Sequence, residues 1–197
     1  MRRFFSLVFL CCLALSAYGQ IGLSPQSNAP GVRIRGRNPA ELAAGEKSLL
    51  AGYCHLDFEG ARLDPTGWKR MQPYTSLRES PDFQQVLIVS RYDILPSEEH
   101  PGVVLVNYRV TGVFDLNEGY SPMNSTIPAQ FRTQEEDGSL IISGMSSPLP
   151  RVSLQAAIKW MNSRVADKST PEALRAHMVE ALRKLGQKLP EPVSAAN

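Results

Sequence analysis

From Leu42 to Leu63 apolar side chains recur at helical spacing: Leu42, Leu49, Tyr53, Leu56 and Leu63, flanked by Leu50, Cys54, Phe58 and Ala61. This is the pattern of a helix lying against a core with a broad apolar face. Its start is marked three times over. Asn38 can cap, Pro39 suits a first position whose N–H has no partner, and Glu41 stands where it can reach back to the cap amide. Asp64-Pro65-Thr66-Gly67 ends the helix, because proline disfavours helical geometry before it and glycine suits a turn. Trp68 to Met71 then forms a short turn before Pro73. His55, Glu59 and Arg62, at i, i+4 and i+7, make a polar stripe that is expected to face solvent.

The pattern then changes period. Gln84 to Ile94 is rich in β-branched residues, with Val86, Ile88, Tyr92 and Ile94 expected on one face. Gly102 to Leu116 alternates more clearly, its even positions being Val104, Val106, Tyr108, Val110, Phe114 and Leu116. Gly112 interrupts that face, which predicts a bulge or bend. The polar connection from Leu95 to Pro101 suits an antiparallel hairpin. A second hairpin is expected from Ala129 to Gln134, through Glu135-Glu136-Asp137-Gly138, to Leu140–Ser143. The chain ends in two helices. Ser153 caps the first, with Leu154, Ala157, Ile158, Met161 and Val165 aligned; Thr170-Pro171-Glu172 opens the second, with Leu174, Met178, Ala181, Leu182 and Leu185 aligned and Gly186 closing it.

Composition adds a compartment. The chain has 197 residues. Arg2 and Arg3 precede an apolar run from Phe4 to Leu15, and Ala17 and Gly19 fit a signal peptidase, so residues 1–19 read as a secretory signal cleaved before Gln20. The apolar run falls short of the roughly 20 residues of a spanning helix, and no later stretch is long enough to span. The expected location is therefore the bacterial periplasm or the outside of the cell. Of 21 basic and 19 acidic residues, the signal holds only Arg2 and Arg3, so the mature chain is neutral and gives no support for nucleic-acid binding. The cysteine count of 3 falls to Cys54 alone, so a hydrophobic core rather than a disulfide framework must hold the domain. Residues 20–38, broken by glycine and proline, read as a flexible linker; 39–146 as one α+β domain; 147–188 as the terminal helices; 189–197 as a disordered tail.

A long helix, a proline-broken turn and two antiparallel hairpins with a glycine-bent strand resemble the NTF2-like (SnoaL-like, cystatin-like α+β) superfamily. The residues that carry the resemblance are Tyr53 to Arg62, Val103 to Leu116 and Asp137-Gly138-Ser139-Leu140-Ile141-Ile142. Leu140 stands where many relatives have an aromatic residue, and the C-terminal helices are additional to the family's core. The resemblance implies a helix packed on a strongly curved antiparallel sheet, forming a cone whose mouth holds a small apolar molecule. Some members are lyases or isomerases and many only bind.

Candidate pocket residues under that resemblance are Tyr53, Asp57, Trp68, Tyr92 and Tyr108. Asp57 is the one candidate general base, since a carboxylate among aromatic walls is desolvated and its pKa raised. The preferred expectation is plainer: Asp57 exposed and paired with Arg62 or a lysine, and the tyrosines in packing roles. Cys54 is expected to be a buried, inert thiol. His55, His100 and His177 show no metal-ligand spacing, and no cofactor motif is present. The function expected is thus an exported, non-catalytic module that binds a small apolar ligand or a protein partner, with a homodimer through the outer sheet face and its Val103, Leu105 and Val113. The alternative is a lyase or isomerase with Asp57 as base.

Overall fold

The computed structural model describes residues 38–97 and 99–187. The expected signal peptide, the linker before Asn38 and the tail from residue 189 lie outside the described residues. Within them the fold is α+β: an N-terminal helix and C-terminal helices on a strongly curled, five-stranded half-barrel. Helix α1 runs Pro39–Phe58, and Asn38 caps it by accepting from the Ala40 N–H at 3.1 Å. A 3-10 turn follows at Ala61–Leu63, then the short helix α2 at Trp68–Met71 and a second 3-10 turn at Gln72–Tyr74. The strands are β1 (Gln85–Pro96), β2 (Val103–Asp115), β3 (Gly119–Glu136), β4 (Ser139–Met145) and β5 (Arg151–Ser153), in the order β4-β3-β2-β1-β5. Helices α3 (Leu154–Ala166) and α4 (Glu172–Lys184) close the chain.

The expected helix is shorter than its apolar pattern. Gly60, with φ of 85°, turns the chain out of α1, and its N–H donates to the Asp57 carbonyl. Left-handed backbone favours glycine, so Leu63 and Arg62 no longer continue the helical register. At the other end of the fold Ser153 caps α3 through its hydroxyl, and Gly186 closes α4 with its N–H to the Arg183 carbonyl and Gln187 N–H to that of Leu182. Those two bonds satisfy carbonyls that the last turn leaves free.

The sheet separates two cores. On one face α1 packs Leu50, Tyr53 and Cys54 against Leu87, Val89, Val104, Val106, Tyr108, Phe131 and Ile142. On the other, α3 and α4 pack Ala157, Met161, Met178 and Leu182 against Val86, Ile88, Phe114 and Val152. Val86 and Ile88 therefore do not share a face with Tyr92 and Ile94, which pack on the first core. The reason is a pair of bulges. Val89 pairs with Val110 and Arg91 with Arg109, so Ser90 is extra; Ile88 pairs with Gly112, so Thr111 is extra. One extra residue moves every later side chain to the opposite face. The same shift puts Val113 against the first core, not on the outer face where dimerisation was expected.

Strand β3 is much longer than the pattern suggests. Its first half carries Pro122 and Pro128, paired with Gly112 and Asn107 of β2. Strand β4 pairs only with Phe131–Glu136, so the prolines sit where β3 is an edge and needs no second set of donors. The hairpin turns at Asp137 and Gly138, both with positive φ, as a two-residue turn between twisted strands requires. The segment before α3 supplies β5, which pairs parallel with β1 through Leu87, Ile88 and Val89.

Candidate functional site

Asp57 follows Leu50, Tyr53 and Cys54 on the inner face of α1 and is fully buried, at 0 % exposure. The expectation of an exposed carboxylate is therefore wrong. Its Oδ2 accepts the backbone N–H of Arg151 at 3.2 Å, across a span of 94 residues. Burial pushes its pKa up to about 6, and the charges of Arg62 and Arg151 with that N–H oppose the rise without cancelling it. Desolvation wins because the carboxylate has been moved out of water on all sides.

Arg62 and Arg151 are buried as well, at 3 % and 1 %. Arg62 is thus not on the solvent stripe with His55 and Glu59. Those two do meet there, at 3.3 Å, but the break at Gly60 carries Arg62 inward. It donates to the carbonyls of Pro148 and Pro81. Arg151 donates to the carbonyls of Leu149 and Ser147, both at 2.9 Å. Its guanidinium lies 4.8 Å from the centre of the Tyr108 ring, which adds a cation–π contact to a desolvated charge. The Tyr108 hydroxyl and the Cys54 sulfur are 3.1 Å apart. Burial pushes the Cys54 thiol up to about 12 and raises both Tyr53 and Tyr108 above the usual phenol range. Cys54 thus stays a protonated thiol at neutral pH, without the thiolate a nucleophile needs.

The five pocket candidates divide. Tyr53, Asp57 and Tyr108 are buried between α1 and the sheet, with Tyr53 edge-on to Phe131 at 5.8 Å. Tyr92 is half-buried and packs between Phe58 and Tyr108, at 5.8 and 6.0 Å. Asp57 with its aromatic neighbours is chemically a base poised near neutrality, but it is sealed from solvent, and the clefts described below are not lined by it.

Trp68 belongs to the same core, 5 % exposed, and donates its indole N–H to the Arg78 carbonyl at 3.2 Å at the core's edge. It lines a cleft of about 570 Å³ between the 3-10 turn, α2, the segment before β1 and the C-terminal helices. Leu63, Phe83, Leu116, Trp160 and Leu174 form apolar walls; Arg62, Arg78 and Arg164 bring donors, and Asp64, Glu79 and Asp82 acceptors. Trp160 is held edge-on to Phe114 at 5.7 Å. The helical spacing of α3 already aligned Trp160 with neither apolar face nor motif, and its role came only from the packing of α3 on the sheet. Among the described residues no three His, Cys, Asp or Glu side chains are grouped to hold a metal, and no helix is long and apolar enough to cross a membrane.

Comparison with protein-family models, with curated proteins and with solved structures found no match for this chain.

Proposed function

We propose that this chain is an exported, non-catalytic module that binds a small apolar ligand in the cleft between Trp68 and Trp160. One observation carries the reading. Both tryptophans of the chain line a single cleft of about 570 Å³, with Phe83 and Leu174 beside them and seven charged residues, Lys69 among them, in the same lining. The surface that these residues show to the cleft is mainly apolar, as in ligand pockets of this size, and the part-exposed indole of Trp160 offers a large contact area with little rotamer entropy to lose. The NTF2-like likeness belongs to the same proposal and is supported by a helix packed on a strongly curled sheet. Export is supported by the sequence of residues 1–19 and is tested by N-terminal sequencing of the mature protein, expected to begin at Gln20.

The binding test is direct because the chain has only two indole N–H resonances. A panel of small aromatic and aliphatic probes titrated against the labelled protein should shift both together. If no probe moves either resonance, the reading is wrong.

A second reading treats Asp57 as the general base of a lyase or isomerase. The raised pKa of this carboxylate beside Tyr53 and Tyr108 favours it; complete burial opposes it. Asp57→Asn that keeps ligand binding and loses turnover would favour this enzyme over the binding module. A partner at the outer sheet face is supported by Leu95 and Leu105, which pair across β1 and β2 and are 46 % and 39 % exposed. Leu105→Asp is expected to abolish any self-association seen by sedimentation.

A further inference from the structure

A second cleft, of about 490 Å³, lies at the opposite end of α1, and Glu46 is part of its lining. We propose that it binds a small organic cation, a primary ammonium or guanidinium carried on a short apolar body. Pro39 and Leu42 of α1, Pro101 of the β1–β2 turn and Leu140 of β4 supply apolar walls. Glu46 is 0 % exposed. Its Oε1 accepts the Gly102 N–H at 2.7 Å and the Thr133 hydroxyl at 2.8 Å. Among the described residues its Oε2, equally buried, has no hydrogen-bond partner.

A buried carboxylate oxygen without a donor is costly, and a charged donor compensates it best. The lining settles the sign of the ligand. Glu135 adds a second carboxylate, and no lysine or arginine of the described residues lines the cleft. An anion would face two acids, and a neutral ligand would leave the buried charge uncompensated. The positive end of α1 opposes a cation with about half an elementary charge, against the two carboxylates of Glu46 and Glu135 that favour one. The volume lies within the range of small-molecule pockets. This site is separate from the tryptophan cleft and does not rest on that proposal.

The test compares hexylammonium with hexanol, which share an apolar body and differ in charge. Hexylammonium is expected to bind about tenfold more tightly, the gain of one charge-assisted bond to a buried acceptor. Amide and methyl shifts should centre on Gly102, Thr133, Leu42 and Leu140. Glu46→Gln retains the shape and the acceptor for Gly102 and Thr133 but removes the charge, and should erase the preference. Glu135→Gln should weaken hexylammonium binding roughly twofold, as a screened surface charge does. Equal affinity for the two probes, shifts centred elsewhere, or an undiminished preference in Glu46→Gln would each overturn the site. If Glu46→Gln does not fold, the wild-type comparison and Glu135→Gln decide.

Discussion

Asp57 makes the stability of the fold depend on pH in a direction opposite to that of most carboxylates. In the folded protein its pKa is about 6, against an ordinary 3.8, so the native state holds this proton more tightly than the unfolded chain does. Between those values the native state carries more protons, and stability falls as pH rises. The stabilisation relative to the ionised state is complete below about pH 4 and gone once pH passes about 6. At 1.36 kcal/mol per pKa unit the whole effect is about 3 kcal/mol, of which roughly 2 kcal/mol falls between about pH 4 and pH 7.5. Asp57→Asn removes the titration while leaving an oxygen to accept the Arg151 N–H. It also removes the counter-charge of Arg62 and Arg151, which shifts stability by an amount that varies little over this range. The informative quantity is therefore the difference of differences: urea unfolding free energies of wild type and variant at the two pH values. The variant should lose about 2 kcal/mol less than wild type on going to the higher pH. Parallel pH profiles would refute the reasoning, and so would a carboxyl carbon resonance of Asp57 that titrates near 4 in the folded wild type. That NMR measurement stands even if the variant does not fold.

Other consequences follow from local geometry. A methyl group at Gly67 would lie 2.3 Å from the Ala61 backbone oxygen, whereas one at Gly112 would meet the movable end of the Tyr120 ring at 2.4 Å. Gly67→Ala should therefore cost about 3 kcal/mol and Gly112→Ala about 1 kcal/mol, read from denaturant midpoints; equal costs would contradict the contact argument. Cys54, 1 % exposed with its thiol pushed up to about 12, should resist alkylation in the native protein and react on denaturation, as mapped on its peptide by mass spectrometry. Ser153→Ala removes the bond from the Ala156 N–H, 3.1 Å long, and should lower stability by about 1 kcal/mol.

Local chemistry was sufficient to predict much of the framework. The Asn38-Pro39 start of α1, the Ser153 cap of α3, the Gly186 stop of α4 and the Asp137-Gly138 turn follow from rules that involve only neighbours in the chain, and each is present. The burial of Asp57 was also written in its spacing, four residues after Tyr53 and three after Cys54, but the usual exposure of aspartate outweighed it. What overrides that preference is Arg151, 94 residues away, and no local pattern announces a partner at that distance. Arg62 turns inward because Gly60 adopts φ of 85°, which its surroundings select from several conformations open to glycine. The bulges at Ser90 and Thr111 likewise came from the pairing of β1 with β2, where curling the sheet requires extra residues that an alternating pattern cannot locate. The first half of β3 was hidden by Pro122 and Pro128, tolerable only because that stretch is an edge. Both clefts belong to this second class. Trp68 and Trp160 are 92 positions apart in the numbering, and Glu46 meets Gly102 and Thr133 only when β2 and β3 pair beside α1. The sequence alone determined the α+β class, the caps and the apolar faces, because these depend on contacts within a few residues. The sheet decided which polar groups are buried together and where space is left beside them, because those depend on long-range pairing and on the cost of removing charge from water.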